Sequence, residues 1–330
     1  MAQRKSNKRL KEFSLIDRLT ADLPRSRQTI LGAGDDCAIL APPRGPQVVT
    51  IDSMVEGVHF RLKWTTPETL GARALTVNLS DIAAMGGTPV ACVINLALRR
   101  GITERLCARL YAGLIEQARA NNTDIVGGNI TRASELAITI TVIGEIPNGA
   151  MRRDTAKIGD DICVTGTIGD AAAGLRILGG KLQARGQARA FLIDRFLNPS
   201  ARIRPGQKLA RLRPLPAAID VSDGLVQDLG HILKRSSAGA EIETAQVPLS
   251  AAYRVIVGDD PMLALGGGDD YELLFCLRPG HSAKSLSRML GLPVTRIGRI
   301  TEGHGVTLIS PDGAQHRAGS IAGWDQLRTD

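Results

Sequence analysis

The chain has 330 residues, 43% hydrophobic and 22% charged, enough for two globular domains that each bury a core. Aromatics at 3% leave those cores to Ala, Val, Ile and Leu, as suits sheets covered by helices, and give few rings for stacking on nucleic acid. The net charge of +8 argues little for a nucleic-acid partner, because Arg4, Lys5, Lys8, Arg9 and Lys11, with no acid among them, concentrate it in residues 1–11, a basic tail expected to be disordered.

The first punctuation after the tail is Gly32-Ala33-Gly34-Asp35-Asp36, a sharp turn carrying two carboxylates. Val48 to Ile51 reads as a strand whose end delivers Asp52 into a loop holding Glu56, Gly57 and His59. A helix is predicted from Pro67, with Thr66 as N-cap, to Met85, where Gly86-Gly87 stop it. Leu70, Ala74, Asn78 and Asp81 form one stripe on it, with an amide and a carboxylate where apolar residues are expected. A second helix is predicted from Thr103 to Ala120, its stripe Leu106, Leu110, Leu114 and Ala118. Ile125-Val126 then leads into Gly127-Gly128-Asn129, and Leu136 to Ile143 alternates as a half-buried strand.

Pro147-Asn148-Gly149 is the best domain boundary, dividing the chain into residues 12–148 and 149–330. Beyond it, Ile162 to Thr165 is a strand. Asp220 ends another, Ser222 is placed as an N-cap, and Leu225, Leu229, Ile232 and Leu233 make a helix stripe. Leu273 to Leu277 follows Gly266-Gly267-Gly268-Asp269-Asp270 as a buried strand. Five cysteines without a C-x-x-C pair, most of them in apolar runs, read as buried thiols of a reducing compartment. With no apolar run of membrane length, the expected location is the cytoplasm, with no membrane partner.

Asp35, Asp36, Asp52, Asp81, Asp220 and Asp223 sit beside glycines or at the ends of apolar runs in four clusters. Taken alone, Gly-Asp-Asp is a solvated turn and Ser222 with its acids is a cap. Asp52 at a strand exit and Asp81 on a helix stripe shift the balance, because a buried carboxylate is costly without a cation. Several hard cations imply phosphate chemistry. No Gly-x-x-x-x-Gly-Lys-Ser/Thr loop, zinc spacing or Gly-x-Ser-x-Gly elbow occurs, which leaves nucleotide handling without a P-loop.

The motifs E-F-S-L-I, G-A-G-D-D-C-A-I-L, T-I-D-S-M-V-E-G-V-H-F, A-L-T-V-N-L-S-D-I-A-A-M-G, G-G-N-I-T-R, V-T-G-T-I-G-D-A-A-A-G-L, A-I-D-V-S-D-G-L, G-G-G-D-D-Y-E-L-L-F and G-W-D run in order over residues 12–325. In these the chain resembles the thiamine-monophosphate kinases. The resemblance implies a two-domain α/β (α+β) fold of the aminoimidazole-ribonucleotide synthetase type. The N-terminal domain would bind ATP and metal and pair across a homodimer, followed by a C-terminal α/β domain. It implies ATP as co-substrate, thiamine monophosphate as acceptor and direct in-line transfer of the γ-phosphoryl group with Mg2+.

By matching motif, the resemblance implies magnesium ligation by Asp36, Thr50, Asp52, Asp81, Asn129, Asp220 and Asp223, with Ile51 occupying a threonine position of that set. By the same resemblance Asp36, Asp52, Asp81 and Asp220 would carry the catalysis. Gly128, Asn129, Arg153 and Ser222 would meet the nucleotide, and His59, Asp269 and Trp324 the thiamine substrate. Asn129 stands where the family has aspartate and Asp269 where it has glutamate.

Sister enzymes are the nearest alternative. A selenophosphate synthetase would carry a reactive cysteine near its start and a hydrogenase-maturation dehydratase would end in cysteine, whereas this chain reads Leu-Arg-Thr-Asp there. Aminoimidazole-ribonucleotide synthetase shares the fold, but the V-E-G-V-H-F context of His59 and the G-W-D favour the thiamine enzyme. A basic nucleic-acid-binding protein would explain the tail but not clustered acids, which repel phosphate unless metals intervene.

Overall fold

The computed structural model describes residues 12–321 and 323–325. The tail expected over 1–11 lies outside them. The chain groups into two compact units, one of Met1–Pro42, Ile51–Leu75 and Val90–Ile143, the other of Pro43–Thr50, Thr76–Pro89 and Gly144–Asp330.

The first half of the chain contributes α1 (Glu12–Thr20), β1 (Thr29–Leu31), β2 (Ile39–Leu40), β3 (Gln47–Val55), α2 (Pro67–Ala84), β4 (Thr88–Leu98), α3 (Glu104–Ala120), β5 (Asp124–Arg132) and β6 (Ala137–Glu145). One four-stranded sheet has the order β3-β6-β4-β5, and β4 and β5 run parallel, as a crossover through α3 requires. Thr103 caps α3 by accepting from the Leu106 amide at 3.2 Å, and Leu110, Leu114 and Ala118 are buried on it. The two helices meet through glycines: a Cβ on Gly113 would lie 1.9 Å from the Glu68 carbonyl oxygen, and one on Gly71 would lie 2.0 Å from that of Leu110. Only glycine permits that approach.

Three expectations change here. Strand β3 runs to Val55, so Asp52 lies within it rather than in a loop. β5 likewise absorbs Gly127, Gly128 and Asn129. Helix α2 is buried nearly all round between Leu70 and Ser80 rather than along one stripe. A fourth expectation changes for one cysteine: Cys37, read as a buried thiol, is exposed on the turn after Asp36, while Cys92, Cys107, Cys163 and Cys276 are buried as expected.

The rest of the chain forms β7 (Asp161–Thr165), α4 (Asp170–Leu178), α5 (Gly186–Leu197), α6 (Ile203–Leu209), β8 (Ala217–Asp220), α7 (Leu225–Ser236), β9 (Gly239–Glu243), α8 (Ala251–Ile256), α9 (Met262–Gly266), β10 (Leu273–Leu277), α10 (Ala283–Leu290), β11 (Val294–Thr301), β12 (Gly305–Ile309) and β13 (Gln315–Arg317). Its seven-stranded sheet has the order β13-β12-β9-β11-β7-β10-β8. Every residue of β10 is buried, and Leu225, Leu229, Ile232 and Leu233 of α7 join the same apolar core. Each such aliphatic side chain contributes roughly 1.5–3 kcal/mol by leaving water. Antiparallel pairing sets Asp220, the last residue of β8, against Leu273, the first of β10. The loop after β8 and the loop before β10 therefore emerge side by side.

Candidate active site

In the second unit, β8 and α2 bring two carboxylates to face each other. Asp81 accepts from the Thr50 hydroxyl at 2.5 Å, and Asp220 accepts from the Ser80 hydroxyl at 2.7 Å. Ser80 thus serves Asp220, 140 residues away, and not its neighbour Asp81. Burial, then the charge of Asp81, push the Asp220 carboxyl up to about 8, against the Ser80 hydrogen bond. Burial also raises Asp81, opposed by the Thr50 hydroxyl and the charge of Arg153. Each of these acids is bonded to a hydroxyl rather than to a basic side chain, and like charges so placed favour neutralisation or a bound cation.

Beyond Asp220 the chain does not start its helix at Ser222. The cap position of α7 is Gly224, with no side-chain cap. Instead Asp228, from inside the helix, accepts the amides of Ser222, Asp223 and Gly224 on its Oδ2 at 3.0, 3.1 and 3.1 Å. One buried carboxylate therefore shapes the whole turn. Burial first, then the charge of Asp223, push Asp228 up to about 7 despite those three donors. Asp223 is itself raised, chiefly by burial and further by Asp269, while Gln227, His231 and Arg153 oppose the shift. Asp223, Asp228 and His231 offer ligand atoms all within 4.8 Å of one another.

Two further segments close on this turn. Asp269 donates its amide to the Ser222 carbonyl at 2.8 Å, and Trp324, half-exposed, donates its amide to the Asp223 carbonyl at 2.9 Å. Gln227 Nε2 donates to the Trp324 carbonyl at 2.8 Å. Thr50, Asp81, Arg153, Asp220, Ser222, Asp223, Asp269 and Trp324 thus all belong to the second unit. Sequence reasoning missed Asp228 and Gln227. A signal for the first existed, since Leu225, Asp228, Leu229 and Ile232 fall on one helix face and the acid interrupts an apolar stripe.

The first unit holds the other expected residues. Asp36 is exposed on a turn made by Gly34 at φ 122°, with its amide on the Asp35 carboxylate at 2.9 Å. Ile51 and Asp52 are exposed on β3. His59 accepts the Val55 amide on Nδ1 at 3.1 Å, next to Gly57 at φ 91°. Asn129 donates from Nδ2 to Asn95 Oδ1 at 3.1 Å across the β4–β5 ladder. Gly128 has a structural reason of its own, because a Cβ there would lie 2.0 Å from the Ile94 carbonyl oxygen.

The chemistry supported by the second unit is hard-cation and phosphate chemistry, with oxygen donors from Thr50, Asp81, Asp220 and Asp223. Family comparisons agree with the fold. Residues 34–146 match the AIR synthase related protein N-terminal domain and residues 157–310 the C-terminal domain of the same family. The chain is similar to the thiamine-monophosphate kinase of Escherichia coli K12, 42% identical over 299 residues that cover 88% of this chain and 90% of that protein. It is similar in structure to the thiamine-monophosphate kinase of Stenotrophomonas maltophilia K279a, with TM-score 0.81, 40% identity and coverage of 92% of this chain and 97% of that one. A solved structure described as AaThiL complexed with AMPPCP and TMP superposes with TM-score 0.76 at 30% identity, covering 96% of each chain. By this extent of identity, in sequence and in fold, the chain belongs to the thiamine-monophosphate kinase family.

Proposed function

We infer that this chain transfers the γ-phosphoryl group of ATP to the phosphate of thiamine monophosphate, giving thiamine diphosphate and ADP. The observation that carries this reading is the 42% identity to a thiamine-monophosphate kinase over 88% of the chain. A relative's structure with AMPPCP, a methylene analogue of ATP, beside TMP supports the pairing of co-substrate and acceptor.

Magnesium fits the donor set. Asp81 and Asp220 are carboxylates held by hydroxyls; burial raises both, and the charge of Asp81 raises Asp220 further, the situation a hard divalent cation relieves. Asp36, Thr50, Ile51, Asp52, Asp81, Asn129, Asp220 and Asp223 would hold it, those of the first unit on the strength of the family motif. When bound, magnesium offsets the repulsion between triphosphate and acceptor phosphate and neutralises charge on the transferring group.

The chain's own residues do the positioning. Asp228 fixes the Ser222–Gly224 turn, and on the strength of the family motif Ser222, Arg153, Gly128 and Asn129 would meet the nucleotide. His59, Asp269 and Trp324 orient thiamine monophosphate for in-line attack. The acceptor phosphate, with a second pKa near 6, is mostly dianionic at neutral pH, so no strong general base is required.

Residues 12–148 would form the nucleotide, metal and dimerisation domain and 149–330 the C-terminal α/β domain. A homodimer is supported by exposed apolar side chains on strands of the first sheet: Val49 at 66% and Ile51 at 63% on β3, and Val93 at 38% on β4. All five cysteines are unpaired, which supports action in a reducing compartment such as the cytoplasm; among the described residues no helix is long and apolar enough to cross a membrane. The test is formation of thiamine diphosphate by purified protein from ATP and thiamine monophosphate, with magnesium or with chelator. Equal or better turnover of free thiamine refutes the assignment of the acceptor.

A further inference from the structure

Asp269 and Tyr271 both sit in left-handed backbone, which aspartate tolerates better than most side chains and tyrosine does not. The φ of Asp269 is 67° and that of Tyr271 is 52°, and neither residue is glycine. Two non-glycine residues two positions apart hold this conformation only where their surroundings over-determine it. The surroundings are two fully buried acids that alternate with them, Asp270 at 2% exposure and Glu272 at 0%.

Asp270 reaches the start of α4, accepting the Gly169 amide on Oδ2 at 2.7 Å and the Ala171 amide on Oδ1 at 3.3 Å. It satisfies helix-terminal donors from a distant part of the chain. Glu272 accepts Arg202 through both Nε, at 2.7 Å, and Nη2, then Arg195 Nη2 at 3.0 Å and the Thr165 hydroxyl at 2.6 Å. Thr165 in turn accepts the Leu273 amide at 2.9 Å, which closes the network onto β10. Between these anchors the loop reads its partner turn through the backbone. Asp269 donates to the Ser222 carbonyl, Tyr271 to that of Val221, and Val221 to that of Glu272, each at 2.8 Å. The Tyr271 hydroxyl donates to the Asp269 carboxylate at 3.1 Å.

We propose that Asp270, and Glu272 with Arg195 and Arg202, are positioning residues for the acceptor substrate: they hold the left-handed loop that aims the Asp269 carboxylate at thiamine monophosphate. The proposal rests on the reading of Asp269 as a substrate residue. None of the four need touch substrate, since each acts through the conformation of Asp269.

The test compares wild type, Asp269→Ala, Asp270→Asn and the double variant for KM toward each substrate, kcat and melting temperature. Asp270→Asn should raise KM for thiamine monophosphate about tenfold while KM for ATP changes by less than about twofold. The double variant should match Asp269→Ala alone, because a residue that acts only through Asp269 has nothing left to act on. If Asp270→Asn does not fold, Arg202→Lys, which keeps a cation on Glu272 but loses the two-point fork, takes its place in the same comparison. An unchanged acceptor KM, a parallel rise for both substrates, or multiplicative losses in the double variant would each overturn the positioning role while Asp269→Ala still raises the acceptor KM. An Asp269→Ala protein with the wild-type acceptor KM overturns the substrate reading itself, and the proposal falls with it.

Discussion

Asp220→Asn should make the metal-free protein more stable at alkaline pH and remove its response to magnesium. The Asp220 carboxyl lies at about 8 in the folded chain against an ordinary value of 3.8, through burial and the charge of Asp81. Between those values the unfolded chain has released a proton that the folded chain retains, so stability falls as pH rises through the window and the full penalty is reached above the folded value. At about 1.4 kcal/mol per unit, with a discount for coupling to Asp81, ionised Asp220 costs the metal-free protein on the order of a few kcal/mol. At about 2–4 °C per kcal/mol for a chain of this size, that amounts to roughly 5–10 °C. Asparagine keeps an acceptor for the Ser80 hydroxyl and turns an N–H toward Asp81, so the substitution relieves the penalty without opening a cavity. Magnesium relieves it differently, by binding the ionised pair, and at a hundredfold excess over Kd adds about 2.7 kcal/mol. The assay is thermal unfolding from about pH 5 to about pH 8, with chelator or magnesium, for both proteins. Asp228, at about 7, has the same sign, so the variant should keep a shallower slope rather than none. A wild-type melting temperature that is flat or rises with pH under chelation refutes the reasoning, as does a variant that still gains wild-type stability from magnesium.

Asp52→Asn should lower kcat about a hundredfold or more, as for a group stabilising transferring charge. Because Asp52 is exposed, the metal-free melting temperature should hold, and a collapse of that temperature with a modest rate change would show a structural role. Asn129→Asp should lower the magnesium concentration for half-maximal rate, Asn95 turning its amide to donate to the new carboxylate; an unchanged or higher requirement would mean that this position does not meet the metal. Gly113→Ala forces a Cβ against the Glu68 carbonyl and should destabilise by about 1–3 kcal/mol or more, read as a lower denaturation midpoint, and an unmoved midpoint would refute the close helix contact.

Local pattern was enough for much of this protein. Thr103 and the Leu110–Leu114–Ala118 stripe marked α3, the uninterrupted Leu273–Leu277 run marked a central strand, and glycine-flanked acids in a fixed order carried the family. These features are legible because capping, burial periodicity and turn chemistry act over a few residues. Where Asp52 sits was not legible, since the polar stretch Asp52-Ser53 looks like a loop until a neighbouring strand supplies its ladder. Nor was the division of labour among the hydroxyls: Thr50 reaches Asp81 across 31 residues, and Ser80 reaches Asp220 across 140. Ser222 carried the local marks of a helix cap, yet the cap position is Gly224, and the turn before it is held by Asp228, whose position within α7 lets one oxygen collect three amides. The sequence determined which acids the chain carries. The tertiary structure alone decided which of them share a buried space, because the burial that raises Asp81 and Asp220, and the charge of Asp81 that raises Asp220 further, depend on distances set by strand pairing and leave no mark in the local sequence.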